Sequence, residues 1–384
     1  MKKVRLGLVG CGHRGIYIAG LFNSHPDCEV TALMDRFGGR VEQAARALNL
    51  PHVTAYTDYE KMLQEAPLDA LFFACAPTDQ VEMACEAMER GKHACTEVPA
   101  AFTLGECWKL VRTVEKTGAK YQLMEQTRYW GFVDAWRAMR ERDELGHICL
   151  AQGEYVHYER NWGYWTDQET GEVLNTLTPP AGRRVEPTWR YEILGDPIYY
   201  LPHTLSPLLK ILDDRVESVS CMGTRRHSYT YPDQELPWRD IEYALMHTAK
   251  DTVLLVGAGF SLPHPGRGPT GCHWYELRGT RGTVESPRGA WDSFRVWRPG
   301  MASHEKMDLS MTPLDASEEQ AKTGHGGADF KPVDSFIRSI LDDTTPPLDV
   351  YLTAELTAPA IVAAESARRG GALMEVPDFR PRGK

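Results

Sequence analysis

The sequence has no long hydrophobic run and no leader of the usual secretory kind. None of its apolar stretches approaches the roughly 18 residues that a membrane-spanning helix needs. The first residues, MKKVRLGLVGCG, include two lysines but reach glycines too early for the apolar core of a signal peptide. We therefore expect neither export nor association with a membrane.

Paired cysteine motifs are also missing. The nine cysteines are odd in number and form no Cys-x-x-Cys pair, so neither a zinc site nor a disulfide framework is indicated. His157, His203 and His325 form no pair at i, i+3 or i, i+4, and we predict no metal site. Buried, reduced thiols are typical of a cytoplasmic protein, which is the location that we expect.

Positive charge is in deficit, because 43 Lys and Arg face 53 Asp and Glu for a formal net charge of −10. This balance argues against a nucleic-acid partner or an anionic membrane surface. A hydrophobic content of 42% is otherwise that of an ordinary globular protein. A chain of 384 residues is long for one core, so two domains are expected.

A glycine-rich turn between a predicted strand and a predicted helix is the first strong motif. The apolar run at residues 4–9 leads into Gly10-x-Gly12-x-x-Gly15, and a helix follows from Ile16. In a dinucleotide-binding fold these glycines permit the turn, the approach of a pyrophosphate and close helix–strand packing. The helix N-terminus then offers N–H donors to phosphates. The motif predicts a dinucleotide site.

An acidic residue stands at the end of the second predicted strand. The run at residues 29–34 ends at Asp35, about twenty residues beyond the last glycine, where a ribose-binding carboxylate is expected. Because a carboxylate repels a 2′-phosphate, NAD is favoured over NADP. Arg36, the next residue, keeps NADP open.

Strand and helix patterns alternate through about residue 124. The continuous apolar run at residues 68–76 is typical of a strand buried on both faces of a parallel sheet. We predict an α/β Rossmann domain with a doubly wound parallel sheet at residues 1–124. Beyond it, strand candidates between residues 216 and 298 indicate a mostly antiparallel sheet. Residues 125–384 are predicted to form a substrate-binding α+β domain.

Three other segments carry specific predictions. A helix is predicted over residues 199–212. Residues 161–190 are rich in Trp, Gly, Pro and Thr without a sustained period, which predicts a long functional loop. Residues 301–327 are polar and are expected to be mobile.

Over nearly its whole length the chain resembles the Gfo/Idh/MocA superfamily. The matching motifs are GLVGCGHRG, Asp35, APTDQ, Glu97-x-Pro99 and the late helix TAELTAPAIVAAESARRGG. The resemblance implies a Rossmann domain, a C-terminal sheet domain and NAD(P)-dependent sugar chemistry. The candidate cofactor-binding residues are Gly10, Gly12, His13, Arg14, Gly15, Asp35, Arg36, Pro77, Thr78, Glu97, Val98 and Pro99.

Two positions depart from the dehydrogenases of this superfamily. Val98 stands where they typically have the lysine of Glu-Lys-Pro, and valine neither donates a proton nor holds a charge. Tyr199 stands where they have the aspartate of Asp-x-x-x-His, although His203 matches. A conventional alcohol oxidation would leave His203 alone to serve as the base.

A narrower resemblance is to the NAD-dependent glycosidases of glycoside hydrolase family 109. It rests on TEVPAAFTLGECW, the Trp-Arg pair at 189–190, the Tyr-x-x-His at 200–203 and GHGGAD at 324–329. It implies that NAD takes a hydride from carbon 3 of the sugar, after which a base removes the proton from carbon 2 and the glycosidic group leaves. Water then adds, and the retained NADH returns the hydride.

Such a reaction needs acids and bases at several positions of the sugar. The candidates that the resemblance supplies are His203, Tyr200, Tyr155 and Glu125, with their separate roles left open. The candidate substrate-binding residues are Trp189, Arg190, His325 and Tyr199. Each has a structural alternative, since tyrosines and tryptophans usually pack in cores and a buried glutamate can cap a helix.

Two other functions stay open. One is a conventional NAD(P)-dependent sugar or polyol dehydrogenase with His203 as the base, and the other is a non-catalytic NAD-binding sensor. The missing lysine and aspartate disfavour the dehydrogenase, and the set of acid–base candidates disfavours the sensor. A homo-oligomer is expected by family analogy alone.

Overall fold

The computed structural model describes residues 3–158, 163–263 and 271–381. The first part of the chain forms a six-stranded parallel sheet of order β3-β2-β1-β4-β5-β6 with helices between the strands, and it confirms the predicted doubly wound fold. The strands are β1 Val4–Val9, β2 Cys28–Met34, β3 Thr54–Tyr56, β4 Ala70–Phe73, β5 His93–Thr96 and β6 Tyr121–Leu123. The helices are α1 His13–Ser24, α2 Gly38–Ala47, α3 Tyr59–Glu65, α4 Pro77–Glu89 and α5 Leu104–Thr117.

Local sequence explains where these helices begin and end. Asp58 caps α3 by accepting a hydrogen bond from the backbone N–H of Lys61. Thr103 and Glu106 form a reciprocal capping box at the start of α5, which ends at Gly118 in the left-handed region with φ 68°. The capping residues therefore set where α3 and α5 begin and where α5 ends.

The second part is built on a nine-stranded sheet of order β17-β16-β15-β14-β7-β13-β12-β11-β18. All its pairs are antiparallel except β7 with β13, which confirms the mostly antiparallel prediction. Its strands are β7 Ile148–Val156, β11 Val216–Gly223, β12 Glu242–Thr248, β13 Val253–Gly259, β14 His273–Gly279, β15 Thr283–Glu285, β16 Phe294–Trp297, β17 Glu305–Met307 and β18 Met374–Glu375. The helices are α6 Gly131–Glu141, α7 Trp189–Ile193, α8 Pro202–Leu212, α9 Gly324–Gly327, α10 Phe330–Leu341 and α11 Val350–Arg368.

Helices α10 and α11, although they follow the second sheet in the chain, also contact the unit built on the six-stranded parallel sheet. Helix α11 packs on β11 and reaches α5 and β6. Helix α10 packs against α1, and its buried residues Val333, Phe336 and Ile337 share one apolar cluster with Phe22. The core is therefore continuous across both parts of the chain.

The segment at 161–190 is not wholly irregular, which corrects the prediction. Its described residues include a small antiparallel sheet of order β10-β8-β9, made of β8 Trp165–Asp167, β9 Val173–Leu174 and β10 Val185–Pro187. Strands of two or three residues are too short to show the alternation that marks a strand in sequence.

Two other predictions also change. The predicted helix at 199–212 divides into a 3₁₀ turn, Pro197–Tyr200, and α8, because Pro202 has no N–H to continue a helix and instead begins one. The polar stretch at 301–327 contains β17, a 3₁₀ turn at Gln320–Lys322 and the short α9. Within the described ranges, none of the helices combines the length and apolarity that a membrane crossing requires.

Candidate active site

The glycine-rich turn has the shape that its sequence predicts. Gly10 has φ 96°, and a Cβ there would lie 2.6 Å from the carbonyl oxygen of Ala74. A Cβ on Gly15 would lie 2.2 Å from the carbonyl oxygen of Gly10. A Cβ on Gly12, in contrast, would meet nothing within 4 Å. Two glycines are thus required for packing, while Gly12 leaves open space at the turn.

The N-terminus of α1 faces that space without a side-chain cap. Gly12 occupies the N-cap, and the first turn holds no acidic residue. His13 and Arg14 follow, the former exposed and the latter half-buried. Uncapped N–H groups and the positive end of the helix dipole suit a phosphate. The turn therefore fits the pyrophosphate of a dinucleotide.

Asp35 is held in place directly after β2. Its Oδ2 accepts a hydrogen bond from the backbone N–H of Cys11 at 3.0 Å, and its Oδ1 accepts one from that of Phe37 at 3.1 Å. The residue is buried, with 6% of its surface exposed. Its neighbour Arg36 forms an ion pair with Glu186 of β10. The carboxylate is thus fixed at the edge where a ribose is expected, while Arg36 already has an acidic partner.

The loops after β4 and β5 contribute the remaining cofactor candidates. Pro77 begins α4 and Thr78 is exposed in its first turn. The side-chain amide of Gln80 donates to the carbonyl of Pro99 at 2.6 Å, which ties the two loops together. Val98 is 5% exposed, so the position of the usual lysine is an apolar, buried one.

Arg14 links the two parts of the chain through two carboxylates. Its Nε donates to Oε1 of Glu97 at 2.9 Å and its Nη2 to Oδ1 of Asp329 at 3.1 Å. Burial raises the pKa of Asp329, but the hydrogen bond from His325 and the charge of Arg14 outweigh it, so this pKa lies well below its usual range. Glu97 therefore joins the loop after β5 to the phosphate turn.

The GHGG turn is anchored rather than loose. Nδ1 of His325 lies 3.0 Å from both carboxylate oxygens of Asp329, and its backbone carbonyl accepts from Nε1 of Trp130 at 2.9 Å. The N–H of Gly324 donates to the hydroxyl of Tyr17 at 2.6 Å. The His325 side chain is 37% exposed. The turn thus presents a partly open imidazole beside Arg14.

Glu125 and His203 form the most buried carboxylate–imidazole pair of the candidate set. Nδ1 of His203 lies 2.5 Å from Oε2 of Glu125, whose side chain has no exposed surface. The other carboxylate oxygen accepts from the N–H and the hydroxyl of Thr127, both at 2.7 Å. Burial raises the pKa of Glu125, yet the neighbouring imidazole and the Thr127 hydrogen bonds lower it overall. The carboxylate thus contacts the imidazole through Nδ1 and joins α8 to the segment after β6.

Tyr155 and Tyr200 surround this imidazole. Their ring centroids lie 5.0 Å and 5.5 Å from that of His203, and the two tyrosine rings stack at 5.9 Å. Burial raises the pKa of Tyr200, an effect that the charge of Arg190 opposes. The structure thus brings together all four predicted acid–base residues.

The predicted substrate-binding residues separate into two groups. Trp189 stacks with Tyr200 at 6.2 Å, and the guanidinium of Arg190 lies over the Trp189 ring at 5.0 Å. The hydroxyl of Tyr199 instead accepts a hydrogen bond from Arg368 at 3.1 Å, and its ring meets Phe102 edge to face. Trp189 and Arg190 therefore border the cluster and His325 contacts Asp329 and Trp130, whereas Tyr199 takes part in a structural network.

Sequence reasoning missed one buried histidine at the centre of the cluster. His273 pairs with Tyr155 across β14 and β7, and their rings lie 4.5 Å apart. Burial holds the pKa of His273 well below its usual range, and the nearby His203 adds to this. Its Nδ1 lies 2.9 Å from the hydroxyl of Tyr275. The only sequence signal is that His273 stands at the start of a predicted strand. That signal does not identify Tyr155 as its neighbour, because the order of the strands in the sheet must be known first.

His157 also joins the cluster. Its ring lies 4.5 Å from that of Tyr155, and its Nε2 lies 2.9 Å from Sγ of Cys272. No group of three or more His, Cys, Asp or Glu placed to hold a metal ion occurs in the described part of the chain. Histidines, tyrosines and a glutamate from separate segments thus meet in one buried cluster.

Two family models match the chain along most of its length. Residues 4–125 match the oxidoreductase family with an NAD-binding Rossmann fold, GFO_IDH_MocA. Residues 137–384, well over half of the chain, match the C-terminal domain of glycosyl hydrolase 109.

Relatives of known name agree with these matches. A glycosyl hydrolase family 109 protein of Streptomyces niveus is 28% identical over 406 residues, covering 98% of this chain and 77% of the relative. Glycosyl hydrolase family 109 protein 2 of Phocaeicola vulgatus is 25% identical over 98% of this chain and 94% of its own length. An inositol dehydrogenase homolog from Azotobacter vinelandii, solved with NADH and myo-inositol, shares the fold with a TM-score of 0.75 and 18% identity over 97% of this chain and 98% of its own.

These matches confirm both resemblances that the motifs indicate. The dinucleotide turn, the fixed acid after β2 and the histidine–tyrosine cluster all lie in the matched regions. The chain belongs to glycosyl hydrolase family 109, as an NAD-dependent carbohydrate enzyme that joins this family's C-terminal domain to the NAD-binding domain of the Gfo/Idh/MocA oxidoreductases.

Proposed function

We propose that this enzyme hydrolyses a glycoside by transient oxidation at carbon 3 of the sugar, elimination, addition of water and re-reduction with retained NAD. The observation that carries the proposal is the buried Glu125–His203 pair beside Tyr155 and Tyr200. Val98 supports it, because the lysine position of the dehydrogenases holds a buried apolar side chain. Together they provide several proton-transfer groups without that lysine.

The residues of the chain handle the protons, while NAD, when bound, accepts the hydride and later returns it. Two protons leave the sugar in this cycle, one from the carbon-3 hydroxyl as the hydride departs and one from carbon 2 before the elimination. Nδ1 of His203 faces Glu125, so Nε2 serves as the base for one of them and returns that proton later, and Tyr155 is the candidate for the other. Glu125 has no exposed surface and acts through His203 as a positioning residue. Burial raises the pKa of Tyr200, so its hydroxyl holds its proton at neutral pH, and we assign it as the group that protonates the leaving group.

The remaining groups would hold and orient the sugar. Trp189 offers an aromatic face, Arg190 a fork of donors, and His325 an imidazole fixed by Asp329. Tyr155, whose ring stacks with that of Tyr200 and lies 5.0 Å from that of His203, supplies a second hydroxyl. These side chains come from separate segments, so we propose that they surround one sugar ring.

We propose NAD rather than NADP as the cofactor. The buried carboxylate of Asp35 would repel a 2′-phosphate. Arg36, the cation that kept NADP open, is paired with Glu186. These two observations support a dinucleotide whose adenosine ribose carries no 2′-phosphate.

Cytoplasmic location and a homo-oligomer complete the proposal. All nine cysteines are free, as expected in a reducing compartment. The second sheet exposes Met222, Leu245 and Trp297 on β11, β12 and β16, and large exposed apolar side chains are typical of association surfaces. Size-exclusion chromatography with light scattering would give a single-chain mass if this proposal is wrong.

The deciding experiment is to assay the purified protein on a panel of nitrophenyl glycosides without added NAD, with mass spectrometry of the bound cofactor. Release of nitrophenol with bound NAD and no net NADH would support the glycosidase. The His203→Ala variant is the control, which should keep its cofactor and lose turnover.

The alternative is a conventional sugar or polyol dehydrogenase. The Glu125–His203 pair favours it, because the oxidation of an alcohol by NAD needs only one base to take the hydroxyl proton, and His203 could serve as that base. Stoichiometric NADH from free sugars and added NAD, with no nitrophenol release, would establish this reaction instead.

A further inference from the structure

The small sheet of β8, β9 and β10, called here the strap sheet, lies against the turn that carries Asp35. Nε of Arg40 donates to the carbonyl of Gly171 at 2.6 Å. Arg36 forms its ion pair with Glu186 of β10. Arg36 lies between β2 and α2, and Arg40 lies in the first turn of α2. The strap sheet therefore contacts the cofactor domain at its ribose-binding edge.

The contact at Gly171 is close enough to exclude any side chain. Gly171 has φ 75°, and a Cβ there would lie 2.6 Å from a ring carbon of Phe37. Asp167 holds this turn by accepting from the backbone N–H groups of Glu169 and Thr170 at 3.0 and 2.9 Å. The strap sheet is thus shaped to press its turn onto Phe37.

Arg40 connects this contact to the acid of the cofactor site. Its Nη1 lies 3.8 Å from Oδ2 of Asp35, while its Nε is used by Gly171. Its Nη2 is buried and has no hydrogen-bond partner among the described residues. A buried guanidinium nitrogen without a partner is costly unless a bound group supplies an acceptor. The unused donor beside Asp35 is therefore consistent with a ligand at this edge.

The other side of the strap sheet is anchored in the substrate domain. The ring of Trp165 lies 4.8 Å from that of Tyr191, and the ring of Tyr164 lies 5.2 Å from that of Trp238. These side chains belong to the same apolar cluster as Tyr200. The strap sheet consequently bridges the catalytic cluster and the cofactor domain.

We propose that the strap sheet forms the outer wall of the adenosine-binding part of the cofactor site and that its contacts with residues 36–40 retain the dinucleotide between turnovers. The inference rests on the proposed function in that a cycle returning its own hydride needs a cofactor that stays bound. It identifies Gly171, Glu186 and Arg40 as retention residues outside the phosphate turn.

Cofactor exchange measures this retention directly, without any sugar. The purified protein is mixed with excess isotopically labelled NAD, desalted at intervals and analysed by mass spectrometry for the label. We expect Gly171→Leu to accelerate exchange by about tenfold or more, because it strains a left-handed position and collides with Phe37. Glu186→Gln should accelerate it by about two- to fivefold, since the ion pair is largely exposed.

Matched controls lie on the same strap sheet or beside it. Gly182 also has a positive φ, but a Cβ there would meet nothing within 4 Å, so Gly182→Leu tests strain without the contact with Phe37. Glu172 pairs with Arg183, and Glu172→Gln removes an ion pair that does not reach the cofactor domain. Both controls should exchange cofactor at the wild-type rate.

Equal exchange rates for each variant and its control would overturn the proposal. If circular dichroism shows that Gly171→Leu does not fold, the comparison of Glu186→Gln with Glu172→Gln decides alone. If the variants exchange cofactor faster and the wild-type enzyme releases no nitrophenol, the glycosidase proposal is overturned and the strap-sheet proposal is supported. Nitrophenol release with unaltered exchange would overturn the strap sheet alone.

Discussion

Nδ1 of His203 and Oε2 of Glu125 lie 2.5 Å apart in a pair that exposes 9% of the imidazole side chain and none of the carboxylate. The pair joins the first turn of α8 to the segment after β6. The backbone N–H of Thr127 donates to the other carboxylate oxygen, and the Thr127 hydroxyl lies 2.7 Å from that oxygen and 2.8 Å from the backbone carbonyl of His203. Removing the carboxylate should therefore alter the orientation of the imidazole without removing a contact to the sugar.

The Glu125→Gln variant tests this relationship. We expect kcat to fall by about 10²–10⁴-fold, the usual contribution of an oriented general base, while KM changes little. Bound NAD should remain at the wild-type level. Glu125→Asp should recover part of kcat because it keeps the charge. A rise in KM at unchanged kcat would instead indicate that Glu125 binds the sugar.

The neighbouring tyrosines Tyr199 and Tyr200 should respond oppositely to the loss of their hydroxyls. We expect Tyr200→Phe to lower kcat by about 10²-fold, because its protonated hydroxyl is the proposed acid. Tyr199→Phe should leave kcat within about twofold and lower the free energy of unfolding by about 1 kcal/mol, since it loses the hydrogen bond from Arg368. Steady-state kinetics and urea denaturation distinguish them. Reversed effects would show that the sugar meets Tyr199.

Cofactor preference should depend on Asp35. We expect Asp35→Ser to reduce the ratio of NAD to NADP affinity by about tenfold or more, because the carboxylate that repels the 2′-phosphate is gone. Titration calorimetry with both dinucleotides on cofactor-stripped protein measures the ratio. Glu172→Gln is a charge-matched control on the strap sheet. An unchanged ratio would place cofactor selection elsewhere.

Stability at acidic pH should depend on Asp329. Its pKa is depressed in the folded protein, so its contribution is fully present above the unfolded value of about 3.9 and is lost as pH falls further toward the folded value. Asp329→Asn should cost about 3 kcal/mol at pH 7, where the ion pair with Arg14 is broken. The difference in the free energy of unfolding between this variant and the wild type should be smaller at pH 3 than at pH 7. Urea denaturation at both pH values measures it, with the exposed Asp251→Asn as control; a gap that does not narrow would contradict it.

Motifs with a local physical cause could be predicted from the sequence. The glycine turn, Asp35 and the alternation of elements all depend on neighbouring residues, and the structure has them where the sequence places them. The strap sheet could not be predicted, because its strands hold only two or three residues each. Short strands are stabilised by tertiary packing, which leaves little trace in local pattern.

The cluster of Tyr155, Tyr200, His203 and His273 shows the same division. Tyr155, Tyr200 and His203 were found through motif resemblance, and their contacts agree with a common site. His273 follows Tyr155 by more than a hundred positions and meets it only because β14 pairs with β7. Sheet order depends on long-range packing, so this neighbour was invisible in the sequence.

Helix α10 has a consequence for how such chains can be recombined. Val333, Phe336 and Ile337 are fully buried against the first sheet unit, and each contributes about 1.5–3 kcal/mol of burial energy. A fragment cut after residue 124 would leave that apolar surface bare. Exchanging nucleotide-binding halves between relatives therefore requires three crossover points, one before α6 and one on each side of α10, so that the helix is exchanged together with the sheet it covers.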